Sequence, residues 1–127
     1  MTNELYESGL KVRREILGDK YATETLSDAE SFDRPFRDLS VEMVWGRVWA
    51  RPELDRRTRS LVTLAMLLVL NRAPAIRIHI KTALRNGASR EEIREVLLQS
   101  AIYGGFPAAL DGFQVTEEVF AEIDATG

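Results

Sequence analysis

The sequence predicts an all-α fold of six helices, and two observations carry that reading. Apolar residues return every three or four positions along most of the chain, and no stretch alternates apolar and polar residues between hairpin turns. Each periodic run also ends on residues that stop helices: Gly18-Asp19, Arg51-Pro52, Asn86-Gly87 and Gly104-Gly105. With 127 residues and no internal repeat, linker or low-complexity tract, the expectation is a single domain over residues 1–127.

The first helix is expected over Glu4 to Leu17, with Leu5, Leu10, Val12, Ile16 and Leu17 supplying its apolar face. Residues from about Lys20 to Phe32 are rich in Thr, Ser and Asp and read as a loop, with Ser27 or Ser31 as the cap of the next helix. That second helix runs to about Trp49 and turns Phe36, Leu39, Met43, Val44 and Trp45 toward the core. Asp55 caps a third helix through about Asn71, and Pro74 suits the first turn of a fourth that reaches Asn86. Ser89 and Glu92 have the spacing of a capping box, which opens a fifth helix to about Tyr103. Pro107 starts the sixth. In its second half the third helix has no polar face, from Leu64 to Leu70, so it must be covered on every side. A chain this small has few places to do that, and a homo-oligomer is the expected solution.

Composition excludes several functions. Hydrophobic residues at 45% and charged residues at 29% describe a globular chain. Surface scaling lets such a chain bury roughly two-thirds of its extended surface, enough for a core without staples. The absence of cysteine removes disulfides, thiolate metal sites and dithiol redox chemistry together, and a lone histidine, His79, cannot build a multi-histidine metal site. A thiolate or multi-histidine metal site is therefore not expected. The apolar, uncharged stretch from Ser60 to Asn71 is too short for a membrane span, and the first residues lack an apolar leader, so a cytoplasmic protein is expected. A net charge of −3 argues against nucleic acid and anionic membranes as partners.

Arg47, Arg51, Arg56, Arg57 and Arg59 place five guanidiniums within thirteen residues. Three lie in the first turns of the third helix, where cations oppose the positive end of the helix dipole, so helix physics alone would not choose them. They are either a solvated, ion-paired helix end or a site for a dianion. Ser60 and Thr63 share a face with Arg56 and extend that polar strip. On the fourth helix, His79 sits at the inner edge of the stripe made by Ile76, Ile80 and Ala83. It is either a hydrogen-bonded core residue or a proton donor whose imidazole titrates near neutrality. Trp45, Trp49 and Tyr103 are packing residues whose polar tips make them candidate pocket linings.

Three long stretches carry a resemblance: YESGLKVRREILGD (Tyr6 to Asp19), WGRVWARPELDRRTRSLVTLAMLLVL (Trp45 to Leu70) and NGASREEIREVLLQSAIYG (Asn86 to Gly104). Through them, and through Pro107-Ala108-Ala109 and Glu117 to Phe120, the chain resembles the carboxymuconolactone decarboxylase family over nearly its full length. The resemblance implies an alkyl-hydroperoxidase-D-like helical fold, a homo-oligomer (a hexamer) and a cofactor-independent decarboxylase. The implied substrate is a small lactone dicarboxylate: 4-carboxymuconolactone, converted to 3-oxoadipate enol-lactone in protocatechuate catabolism by the β-ketoadipate pathway. The cysteine positions of the hydroperoxidase relatives fall on Arg72 and Ala75, which excludes their dithiol chemistry. The chain departs from the family pattern at Ala73-Pro74-Ala75, Gly105 and Leu110, positions that bear on the exact substrate.

The lactone substrate is its own electron sink, since the carbanion left by CO2 spreads onto the ring carbonyl as a dienolate. The protein must hold the dianion, stabilise the oxyanion and protonate carbon. Arg57 and Arg59 are the expected electrostatic catalysts and His79 the proton donor, directly or through water. Arg56, Ser60, Trp45, Trp49 and Tyr103 are expected to bind substrate. The competing classes are a lactone hydrolase, which would release no CO2, and a non-catalytic ligand-binding paralog with an altered pocket.

Overall fold

The computed structural model describes residues 3–126, and among them every regular element is helical. The chain forms two compact units, one up to Arg56 and one from Arg57 onward.

In the first unit, α1 (Glu4–Leu17) starts where the Asn3 side chain accepts a hydrogen bond from Tyr6 N and stops at Gly18, whose φ of 94° suits glycine. The stretch expected as a loop contains most of a further helix, α2 (Asp19–Glu24), so the helices among the described residues number seven rather than six. Arg13 ties this short helix down. Its Nη1 donates to the Ala22 carbonyl at 2.7 Å and its Nη2 to Thr25 Oγ1 at 2.6 Å, satisfying groups at the C-terminal end of α2. The sequence offered no local reason to expect that contact, because the partner lies nine residues away.

The next helix, α3 (Arg34–Ser40), begins later than either candidate cap, with Pro35 in its first turn. It continues directly into a π-helical stretch over Val41–Trp49. There Ala50 N reaches back five residues to the Trp45 carbonyl at 3.1 Å, which widens the turn and moves the buried stripe to Val41, Trp45 and Trp49. That change of period corrects the expectation for Met43 and Val44, which are exposed; Phe36 and Leu39, also expected in the core, are exposed as well, on α3, which buries none of its residues. Trp45 and Trp49 meet each other with ring centroids 5.2 Å apart and pack with Val12 and Ile16. Two glycines allow α1 and the π stretch to approach closely: Gly9 faces the Val41 backbone and Gly46 faces Leu5.

The second unit contains α4 (Arg56–Leu70, from its second residue), α5 (Ala73–Arg85), α6 (Arg90–Gly104) and α7 (Phe106–Thr126). Its core joins Leu64 and Leu68 of α4, Ile76, Ile80 and Ala83 of α5, Ile93 and Leu97 of α6 and Val119 of α7. The expected capping box is present: Ser89 Oγ accepts from Glu92 N at 3.0 Å, and Ser89 N donates to Glu92 Oε1 at 2.9 Å. Charged pairs fasten α7 along its outer edge, with Arg77 on Glu118 and Glu122 and Arg90 on Asp124. Gly112 lets α7 pass close to Leu68 and Leu97.

Gly9→Ala should destabilise the fold by about 1–3 kcal/mol, since its new methyl meets backbone rather than a movable side chain. Urea unfolding followed by tryptophan fluorescence checks this, and an unchanged midpoint would refute the close approach.

Candidate active site

His79 occupies the position on α5 that the core stripe dictates. Burial of Ile76, Ile80 and Ala83 fixes the helix rotation and leaves His79 half-buried at the edge of the core. Its Nδ1 is enclosed and makes no hydrogen bond within the chain. Burial alone pulls its pKa below the ordinary value of 6.5, because desolvation disfavours the imidazolium and no carboxylate compensates. At neutral pH His79 is therefore a neutral imidazole, one ring nitrogen a donor and the other an acceptor. An anion close by would raise that pKa again and favour the protonated form.

The three arginines of α4 have different surroundings. Arg56 reaches Glu15 at 3.2 Å, an exposed pair within the first unit. Arg57 is joined to Glu92, with Nε 3.2 Å from Oε1 and a second, closer contact through Nη2. Glu92 thus serves twice, capping α6 and orienting Arg57, so the first turn of α6 sets where that guanidinium sits. A partly exposed pair of this kind contributes at most about 1 kcal/mol to stability, so its effect is chiefly positional. Arg59 is half-buried one turn before Thr63, whose Oγ1 donates to the Arg59 carbonyl at 2.9 Å. Ser60 is fully buried.

A cavity of about 360 Å³ lies along α4 and α6, lined by Thr58, Leu61, Val62, Val96, Ser100 and Tyr103 among others. Tyr103, 82% exposed, is the one expected substrate-binding residue on its wall. Trp45 and Trp49 are instead buried in the core of the first unit. The sequence reading passed over Glu92 as a partner for Arg57. Its only signal was the capping box, which says what the carboxylate does for its own helix and nothing about a residue thirty-five positions earlier. Ser100 and Thr58 were equally silent, being single polar residues on helices whose packing was not yet known. Among the described residues no three His, Cys, Asp or Glu side chains converge as a metal site.

The fold and these residues meet known proteins at this point. The profile of the carboxymuconolactone decarboxylase family matches residues 35–118. The chain is 39% identical to the 4-carboxymuconolactone decarboxylase of Acinetobacter baylyi, over 93% of this chain and 88% of that protein. It is 37% identical to the nitrosuccinic acid decarboxylase of Metarhizium robertsii, over 94% of this chain and 83% of the relative. The class is a carboxy-lyase, an enzyme that removes CO2. The chain belongs to the carboxymuconolactone decarboxylase family.

The depressed pKa of His79 has a consequence for stability. The unfolded chain binds a proton near pH 6.5, whereas the folded chain resists it until lower pH, so stability falls on acidification between those two values. His79→Gln has no such proton to bind. The stability of wild type relative to His79→Gln should therefore rise from pH 5 to about 6.5 and level off above. Urea unfolding across that range tests this, and a constant difference would refute the desolvated imidazole.

Proposed function

We propose that this enzyme decarboxylates 4-carboxymuconolactone to 3-oxoadipate enol-lactone, the cofactor-independent step in protocatechuate catabolism. The observation that carries this reading is the 39% identity over 93% of the chain to a protein of that name, joined to a desolvated His79 with an unoccupied ring nitrogen. Loss of CO2 leaves its electron pair on the lactone carbon. Conjugation carries the charge to the ring carbonyl oxygen, so no external electron sink is needed.

The residues then divide the work. Arg59 and Arg57 hold the carboxymethyl arm and stabilise the developing oxyanion, with Arg57 presented by Glu92. Arg56, Ser60 and Tyr103 contribute to binding. The departing carboxylate should sit away from the guanidiniums, because clamping it would stabilise the ground state as much as the transition state. His79 starts neutral and gains its proton as the dianion binds. It then delivers that proton to the ring carbon or through a water held on its nitrogen. Trp45 and Trp49 support the fold as core residues, and a direct role on substrate is not part of this mechanism.

A second reading takes nitrosuccinate as substrate, favoured by the 37% identity to a nitrosuccinic acid decarboxylase. The chemistry is parallel, since a nitro group beside the departing carboxylate accepts the electron pair as a nitronate. Both readings need an anion site and a proton donor.

The apolar face of α4 (Val62, Met66, Val69, Leu70) and the exposed Leu98, Ile102, Phe106 and Leu110 of α6 and α7 support a homo-oligomer, a hexamer by the family resemblance. On this reading Ile102→Glu should shift the sedimentation coefficient toward that of a monomer, and an unchanged value would remove α6 from the interface.

Purified protein given 4-carboxymuconolactone, generated in place by a cycloisomerase, should release CO2 and form the enol-lactone. His79→Ala should lower kcat by about a hundredfold or more with a smaller change in KM, and Arg59→Ala should chiefly raise KM. Turnover of nitrosuccinate alone would select the second reading, and equal turnover by His79→Ala and wild type would end the proton-donor role.

A further inference from the structure

The first unit holds a cavity of about 220 Å³ that none of His79, Arg57, Arg59 or Tyr103 lines. Three arginines line it, Arg13, Arg14 and Arg34, together with Tyr6, Leu10 and Leu26. Their charges are poorly matched. Arg34 is neutralised by Asp38 at 2.8 Å, and its Nη1 donates to the Leu26 carbonyl at 3.1 Å. Arg14 forms no ion pair among the described residues, and neither does Arg13.

Arg13 is the informative member. Only 7% of its surface is exposed, and both groups it binds, the Ala22 carbonyl and the Thr25 hydroxyl, are neutral. A buried charge normally has an opposite charge beside it, because desolvation costs several kcal/mol that neutral acceptors offset only in part. The carbonyl end of α2 offsets some of this through its dipole, yet α2 is a helix of six residues and its field is weak. Asp33 is already bonded to Arg37 at 2.8 Å. Three guanidiniums against the single carboxylate of Asp38 leave the cavity with about two excess positive charges.

The geometry points to an anion site, and its walls specify which anion: the cavity binds the carboxylate of a small organic acid. Arg13 and Arg14 receive the carboxylate, for which a guanidinium pair is well suited, while Leu10 and Leu26 contact the hydrocarbon part. Inorganic oxyanions would use the charge and gain nothing from the leucines. A carboxylate here would also couple the α1–α2 junction to the concentration of the acids on which this class of enzyme works.

Isothermal titration calorimetry on the full chain tests the site, with adipate as the organic acid and inorganic phosphate as the plain oxyanion. Wild type and His79→Ala should both show adipate binding beyond that at the site of Arg57 and Arg59, and Arg59→Ala should retain it. Arg14→Ala should weaken it about tenfold, the loss of one charge-assisted contact, and Arg14→Lys should recover part of it. Leu26→Ala should weaken adipate but leave phosphate unchanged. Arg14 makes no bond that the fold uses through its side chain, so its variants report on the cavity rather than on folding. Adipate affinity equal in Arg14→Ala and wild type, or lost in His79→Ala, would overturn the assignment. Phosphate binding as tightly as adipate would overturn the organic-acid specificity.

Discussion

The rotation of α5 about its own axis is the constraint from which the chemistry of the second unit follows. Ile76, Ile80 and Ala83 are fully buried, and each isoleucine side chain contributes about 1.5–3 kcal/mol by leaving water. The helix cannot turn to hydrate His79 without exposing that stripe. His79 is therefore held partly desolvated at the core's edge by packing energy rather than by any bond of its own. A histidine so placed is neutral at rest and sensitive to an arriving negative charge, which is what the proposed proton donor requires. The charged pairs from Arg77 and Arg90 to α7 keep the outer side of the same helices in place without touching the imidazole.

Around that constraint, single residues perform two tasks at once. Glu92 closes the capping box of α6 and orients Arg57, so a feature of local helix chemistry also positions a guanidinium. Arg13 binds the end of α2 and lines a cavity. In both, a charged side chain satisfies backbone groups that would otherwise be orphaned, and its remaining charge is available for other work. The tryptophans show the reverse. They carry polar tips suited to a pocket, yet their rings meet each other in the core of the first unit.

Much of the fold was legible in the residues. The starts and stops of α1, α5 and α6 follow from Gly18, Pro74, Asn86-Gly87 and the Ser89–Glu92 pair, because capping is settled within a few residues of chain. The stretch after Gly18 misled, since Thr, Ser and Asp read as a loop when their helix is held by Arg13, nine residues upstream. Phe36, Leu39, Met43 and Val44 misled for a different reason. The spacing of Met43 and Val44 suits an α-helix, but from Val41 the chain winds as a π-helix and buries Val41, Trp45 and Trp49, whereas Phe36 and Leu39 lie before it on α3, which buries no residue.

By itself the sequence determined the all-helical class, the ends of α1, α5 and α6, and the decarboxylase family, with His79 on the core-facing edge of its helix. These depend on interactions of short range along the chain, or on long runs of residue identity. Tertiary structure alone decided which arginine meets which carboxylate, how deeply His79 is desolvated, and that Arg13 lies buried beside neutral acceptors. Each of these is a matter of what approaches from a distant part of the chain. Electrostatic energy depends on that separation and on the water excluded from it, and neither quantity is written in residue order.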